Sequence, residues 1–295
     1  MPTEPCWKEY DWLLEASLRE DAANDDVTTR SVVEDRPQGE GRLVARQDGV
    51  MCGLPLAART ARWLESSLEF REQVPDGVRA EAGDTVAVVR GAVPPILAAE
   101  RTMLNFLQRL CGTATLTARY VAAVEGTGAR ILDTRKTTPG WRELEKYAVR
   151  CGGGFNHRMS LADQVLIKEN HIRCLRRTEE DMPAAVQRAV RKARDGAPED
   201  VKVEVEVETL EELDAALEAG ADLVLLDNME VPEVKQAAEA VSRHRGEGSY
   251  PRSEASGDIT LDNVREYAEA GADRISVGAL THSAPALDLS LQLEL

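Results

Sequence analysis

The sequence has no long apolar run. Nothing in its 295 residues approaches the ~18 consecutive apolar positions that a bilayer-spanning helix needs. Its opening, MPTEPCWKEYDW, lacks the basic-then-apolar pattern of an export signal. A cytoplasmic protein with no membrane partner is expected. Cysteine is sparse and unpaired in pattern: Cys6, Cys52, Cys111, Cys151 and Cys174 are odd in number, and no two have CxxC spacing. This excludes a zinc motif and a disulfide framework and leaves the thiols as small core fillers. A general basic surface is also missing. The formal net charge is −16, which argues against nucleic-acid binding. No Ser-His-Asp or Cys-His arrangement offers a covalent nucleophile.

With 43% apolar and 30% charged residues, the chain is instead an ordinary globular one, long enough for one large or two ordinary domains. Against its negative bulk stands one cationic island. From Arg130 to Arg177 there are 11 Lys/Arg against 5 Asp/Glu, with two of the four histidines. Such an island in an anionic protein predicts an anionic ligand held by local charge.

The chain changes rhythm twice. Tyr10 to Arg19 places Trp12, Leu13, Ala16 and Leu18 on one face of a short helix, and Asn24–Thr29 reads as a turn with a strand-like exit. From Gly41 to about Val93, short strands such as Arg42–Ala45, Gly49–Gly53 and Asp84–Val89 surround one helix, Leu56–Leu68; this is α+β patterning without βα alternation. Pro94-Pro95 then introduces a long helix, Ile96–Val124. Met103, Phe106, Leu107 and Leu110 form its apolar stripe, Arg101, Asn105 and Gln108 lie on a polar face, and Gly112 is expected to break or kink it.

After Gly128 strand, loop and helix alternate. The expected strands are Arg130–Thr134, Gln164–Lys168, Val201–Val207, Leu223–Leu226, a weak one before Glu254, and Arg274–Val277. Gly220 and Gly271 sit where left-handed helix C-caps belong. Repeated αβ units predict a parallel sheet with helices outside it, and six strands predict a barrel short of the usual eight. The expected domains are residues 1–125, with helices and an α+β sandwich, residues 126–285, an open α/β barrel, and a tail, 286–295, that returns to the first.

In barrels of this kind the carboxyl ends of the strands form the site. Those ends here carry Arg135 and Lys136, Lys168, Glu206, Asp227-Asn228, Ser256-Gly257 and Gly278-Ala279, joined by His157-Arg158 from the first long loop. In VKVEVEVE the valines take one face, so Lys202, Glu204, Glu206 and Glu208 take the other. Inside a barrel those carboxylates need a cation, either Lys/Arg or a metal. The Ser256-Gly257 and Gly278-Ala279 turns suit close backbone approach to a phosphate. Cations, carboxylates and glycine turns together fit a phosphate-bearing substrate with a metal.

These residues resemble the quinolinate phosphoribosyltransferase family. The resemblance is carried, in family order, by LREDAANDDVTT, ERTMLNFLQRLCGTAT, DTRKTTPG, KYAVRCGGGFNHR, LIKENHI, VEVEVETLEELDAAL, LLDNM, EASGDI and SVGALTHS. It implies an α+β sandwich plus an open, TIM-like α/β barrel. It also implies conversion of quinolinate and phosphoribosyl pyrophosphate to nicotinate mononucleotide, pyrophosphate and carbon dioxide with Mg2+. By motif, Arg135, His157, Arg158 and Lys168 would bind the two quinolinate carboxylates, and Arg101 would reach the site across the interface of a dimer or dimer-based hexamer. Lys136, beside Thr134, would meet the phosphoribosyl substrate. Glu206 and Asp227 would serve the ribose hydroxyls and, indirectly or through substrate, the metal; Ser256, Gly257, Gly278 and Ala279 would cradle the 5′-phosphate. The sequence departs from the family's pattern at the polar segment Glu247–Ser253, where an apolar strand is usual, and at Asp258. A relative acting on another nitrogenous acid and a non-catalytic phosphate-binding barrel are the alternatives.

Overall fold

The computed structural model describes residues 3–295; Met1 and Pro2 of the opening segment lie outside it. Two compact units are formed, each by discontinuous stretches of chain.

The first comprises residues up to Ala118, Thr137–Gly153 and Leu280–Leu295. Its strands are β1 (Gln38–Ala45), β2 (Gly49–Val50), β3 (Glu69–Glu72), β4 (Arg79–Ala80) and β5 (Thr85–Ala92). A four-stranded antiparallel sheet runs in the order C-terminal strand Leu289–Glu294, β1, β5, β3. β2 and β4 form a small separate pair, so only Gly49–Val50 of the expected Gly49–Gly53 is strand. The sheet buries Leu43, Ala45, Val86 and Val89 against Leu54, Leu56 and Ala57 of the helix Leu54–Leu64, and against Met103, Phe106, Leu107 and Leu110 of the helix Val93–Ala123. Each such side chain contributes about 1.5–3 kcal/mol by leaving water.

Three local expectations are corrected here. The exit at Val27–Thr29 is a helix, Val27–Val32, because the Asp26 carboxylate accepts the Thr29 amide at 3.0 Å and caps it. Trp12 is 55% exposed, and Leu14 takes the buried place beside Leu13 and Leu18. Gly112 neither breaks nor kinks its helix, which runs unbroken from Val93 to Ala123. It is glycine because a Cβ there would lie 2.1 Å from the Pro285 carbonyl oxygen.

A single cut near residue 125 is likewise not what the chain makes. The helix Arg142–Cys151, expected in the barrel, belongs to the first unit because Leu144, Tyr147, Ala148 and Cys151 are part of that unit's core. The chain end returns to this unit, with Leu287 and Leu289 in the same core.

The second unit, Arg119–Lys136 with Gly154–Ala279, is the α/β unit. Its strands are β6 (Arg130–Leu132), β7 (Val165–Ile167), β8 (Val203–Val207), β9 (Leu223–Asp227), β10 (Arg252–Ser256) and β11 (Arg274–Ser276). They form one parallel sheet in the order β6-β11-β10-β9-β8-β7. β6 and β7 are the two ends of this sheet, which makes the barrel open. All six expected strands are present, and Gly220 and Gly271 have the positive φ that ends a helix, +84° and +99°.

The fold requires both faces of the sheet to be covered, and on β8 they are. Val203, Val205 and Val207 are buried, and so is Glu204 on the opposite face. β10 carries the same lesson further. Of the segment Glu247–Ser253 that looked too polar for a barrel strand, only Arg252 and Ser253 are strand; residues 247–251 form the turn before it, and β10 buries Ser253 and Glu254 fully. Polar residues are tolerated because neighbours answer them: Asp273 accepts the Ser253 amide at 2.9 Å, and Arg274 Nε meets Glu254 at 2.8 Å.

Candidate active site

At the carboxyl ends of the parallel strands lies a cavity of about 540 Å3. Thr134, Arg135 and Lys136 reach it after β6, Lys168 after β7, Glu206 from β8, Asp227 from β9, and Ser256 with Gly257 from the end of β10. His157 and Arg158 enter from the loop that follows Gly154. The apolar runs of the strands place these groups, because each strand stays buried until its last residues and the polar side chain is the first that the core does not claim. Gly278 and Ala279, beyond β11, are not among the lining residues; Ser276 is. Arg101 stands exposed on the long helix of the first unit and is not a lining residue either.

The two arginines, Arg135 and Arg158, keep donors for an acceptor that the protein does not itself supply. The Arg135 Nε is buried without a hydrogen-bond partner. Burial and then the neighbouring Arg135 charge lower the pKa of Arg158. Arg158 Nη1 donates to the Gln164 carbonyl oxygen at 2.9 Å, leaving most of its donors unspent. Holding two guanidiniums together is unfavourable unless an anion joins them.

Lys168 is tied to the carboxylate side of the cavity, with its Nζ 2.5 Å from Glu206 Oε2. Burial and then the Glu206 charge raise the pKa of Asp227. Two carboxylates that repel each other at the mouth of a sheet are relieved by a cation, so Glu206 and Asp227 fit a divalent metal with oxygen ligands. They do not make a three-ligand set alone, which leaves the rest of a shell to substrate and water.

Beside them Gly257 has φ +97°, and a Cβ on it would lie 2.1 Å from Asn228 Oδ1. The Asn228 amide donates to the Ser256 carbonyl oxygen at 3.0 Å, so two strand-end turns are locked together. Only glycine permits that approach. Asp258 also lines the cavity, with φ +45°.

Below the cavity floor lies a charged layer in which the sequence disclosed His157 and Glu204 singly but not their pairing. His157 is buried, with Nε2 3.2 Å from Glu204 and 3.4 Å from Glu254, both fully buried. Asp133, also fully buried, accepts the His157 amide at 2.9 Å. The His157 Nδ1 accepts the Arg158 amide at 2.7 Å, which puts the ring proton on Nε2, toward the carboxylates. Burial opposes charging this ring, but the hydrogen bonds and charges of Glu204 and Glu254 outweigh it and push its pKa up to about 9. Taking the second proton on Nδ1 means giving up the amide bond, and the charged ring then has an Nδ1–H to offer. Burial is the largest influence on Glu254 and opposes its charge, but His157 and Arg274 together prevail and keep it ionised. Burial and Glu254 raise Glu204. His157, Glu204 and Glu254 are close enough to share a metal, but Arg274 at 2.8 Å from Glu254 already fills the cationic role. The other three-donor group, Cys52, Asp76 and Cys151, lies in the first unit. There Asp76 is engaged by the amides of Gly53 and Leu54 and by the Tyr147 hydroxyl. Cys52, Cys111 and Cys151 are buried and free, as core thiols.

An open α/β barrel whose strand ends gather paired arginines, a lysine, two carboxylates and a glycine-bearing turn defines an enzyme-type site for a polyanionic substrate. Comparison with known proteins makes the assignment specific. Residues 26–111 match the N-terminal domain of quinolinate phosphoribosyl transferase, and residues 113–292 match its C-terminal domain. The chain belongs to that family. It is 42% identical to the nicotinate-nucleotide pyrophosphorylase (carboxylating) of Mycobacterium leprae, over 91% of each chain. It is 38% identical to a probable enzyme of the same name from Synechocystis, over 98% of this chain and 94% of that one. The crystal structure of NadC from Streptococcus pyogenes superposes with a TM-score of 0.89 at 38% identity, covering 99% of both chains.

Proposed function

We infer that the chain is a carboxylating nicotinate-nucleotide pyrophosphorylase, a pentosyltransferase of NAD biosynthesis. It transfers the phosphoribosyl group of phosphoribosyl pyrophosphate to quinolinate and releases pyrophosphate and carbon dioxide. The observation that carries this reading is the arginine pair: Arg135, with a buried unpartnered Nε, and Arg158 beside it. Quinolinate is a planar dianion, and guanidinium forks match planar carboxylates in bidentate geometry.

On this reading Arg135, Arg158, Lys168 and the charged form of His157 hold the two carboxylates. Lys136 and Thr134 meet the phosphoribosyl group, and Ser256, Gly257, Gly278 and Ala279 surround its 5′-phosphate. As the bond from the ribose carbon to pyrophosphate lengthens, positive charge builds on the sugar, and the carboxylates of Glu206 and Asp227 stabilise it while contacting the ribose hydroxyls. The pyridine nitrogen forms the new bond. Once ribosylated, that ring is cationic and accepts the electron pair left by the departing C2 carboxylate. Positioning and charge perform the work, and no covalent enzyme intermediate is needed. Glu206 and Asp227 would hold Mg2+, by way of substrate or indirectly, and the ion would supply charge neutralisation for the pyrophosphate leaving group. Arg101 completes the site from a neighbouring subunit of a dimer or a dimer-based hexamer. The protein works in the cytoplasm; no helix among its described residues is long and apolar enough to cross a membrane.

Calorimetric titration tests the reading. Arg135→Ala and Lys168→Ala each abolish detectable quinolinate binding while the thermal unfolding profile stays that of the wild type. Phosphoribosyl pyrophosphate binds the wild type more tightly with Mg2+ than without. Unchanged quinolinate affinity in either folded variant contradicts the dicarboxylate assignment. Affinity indifferent to Mg2+ favours a phosphate-binding barrel without catalysis.

A further inference from the structure

Arg158 and His157, adjacent in sequence, are connected by a second route through Gln164, just before β7, and Glu204 on β8. Arg158 Nη1 donates to the carbonyl oxygen of Gln164 at 2.9 Å. The Gln164 side-chain amide donates to Glu204 Oε2. The same Glu204 oxygen lies 3.2 Å from His157 Nε2. Arg158 and His157 are thus two ends of one circuit whose middle members, Gln164 and Glu204, do not line the cavity. Glu204 is fully buried and Gln164 half-buried.

We propose that Gln164 and Glu204 are positioning residues for quinolinate: they fix the spacing between the Arg158 guanidinium and the His157 ring, the two groups that receive its carboxylates. This deepens the functional reading above and rests on it.

The physical case has three parts. A long arginine side chain has many rotamers to lose, so a guanidinium aimed at a rigid dianion needs an anchor. The Gln164 carbonyl is that anchor, and Gln164 is in turn anchored to the deepest carboxylate of the layer. Second, the Glu204 oxygens need donors, since burying a carboxylate without them is strongly unfavourable. Gln164 and His157 both meet Oε2, and Oε1 is buried with no hydrogen-bond partner, so the Glu204 carboxylate is held at this one oxygen and losing either link loosens the other. Third, the charge of the layer is already balanced elsewhere, by Arg274 on Glu254 at 2.8 Å. Gln164 is therefore free to act through geometry, as a neutral donor whose side chain ends on one oxygen. A glutamine before an apolar strand reads from sequence as a strand-edge polar residue, and its partner lies 40 positions away.

Steady-state kinetics with both substrates varied tests the proposal. Gln164→Ala removes the side-chain link and keeps the backbone carbonyl. It raises KM for quinolinate about tenfold, the effect of one lost charge-assisted hydrogen bond, and changes KM for phosphoribosyl pyrophosphate by less than about twofold. The reciprocal pair Gln164→Glu with Glu204→Gln rebuilds the bond with donor and acceptor exchanged, and it returns the quinolinate KM to within about threefold of wild type. Glu204→Gln alone removes the charge and leaves one amide oxygen to accept from both Gln164 and His157, and it is worse than the pair. An unchanged quinolinate KM in Gln164→Ala overturns the proposal, and so does an equal rise in KM for both substrates. Failure of the reciprocal pair to improve on Glu204→Gln does the same. Failure of the underlying functional reading looks different, because wild-type protein would then turn over no quinolinate at all.

Discussion

At His157 burial favours the neutral ring, while Glu204 and Glu254, 3.2 and 3.4 Å away, favour the charged one. The carboxylates prevail and the pKa rises to about 9. The sign of the consequence follows. A raised pKa means the proton is held below it, so charged His157 is present at neutral pH and lost as pH climbs through about 9. The expected result is a fall in kcat/KM for quinolinate across that range, measured as a pH profile, with no matching limb in His157→Asn. The same linkage makes the group's contribution to stability complete below its unfolded pKa of about 6.5 and progressively lost toward pH 9. Lys168 and Asp227 were legible in the sequence because each directly follows an apolar run, and Arg135 because it lies just beyond one; a buried strand delivers the polar residues after it to the sheet end. Gln164 and Glu254 were not, and Glu204 was legible only as an interior carboxylate in need of a cation. Their partners lie between 20 and 97 positions away, and only the folded sheet brings them together.

Among the elements, the helix Val93–Ala123 sets propensity against packing. Replacing a mid-helix glycine by alanine ordinarily stabilises by about 1 kcal/mol. At Gly112 the added Cβ would meet the Pro285 carbonyl oxygen at 2.1 Å, a backbone atom that cannot rotate away. Overpacking of this kind costs about 1–3 kcal/mol and outweighs the propensity gain. Gly112→Ala is expected to lower the denaturant midpoint, and a variant more stable than wild type contradicts the close approach. The sequence marked Gly112 as a helix breaker because local pattern cannot reveal that residue 285 packs there. β10 was faint for a related reason. Its two fully buried polar residues, Ser253 and Glu254, break the apolar signature, and they are satisfied by Asp273 and Arg274 of another stretch. The remaining barrel strands were plain, since valine, leucine and isoleucine runs bounded by charge have few other uses.

Over the whole molecule, a net charge of −16 coexists with a segment from Arg130 to Arg177 that holds 11 cations. The fold divides that segment, and of its cations Arg135, Lys136, Arg158 and Lys168 line the cavity, where they supply the local attraction that an anionic ligand needs. The two family domains were legible in outline; their interleaving was not, because the helix Arg142–Cys151 contributes Leu144 and Tyr147 to a core that the sequence places far from it. Arg101 belongs to this scale. If it serves a neighbouring subunit, mixing Arg101→Ala with Lys168→Ala protein under conditions of subunit exchange restores part of the activity that each has lost. Exchange without recovery removes Arg101 from the site. The most direct measurement is turnover with quinolinate, phosphoribosyl pyrophosphate and Mg2+, with nicotinate mononucleotide and carbon dioxide quantified together and nicotinate offered in parallel. The account predicts the two products in equal amounts from quinolinate and none from nicotinate. Product from nicotinate alone, or binding of quinolinate without turnover, contradicts it.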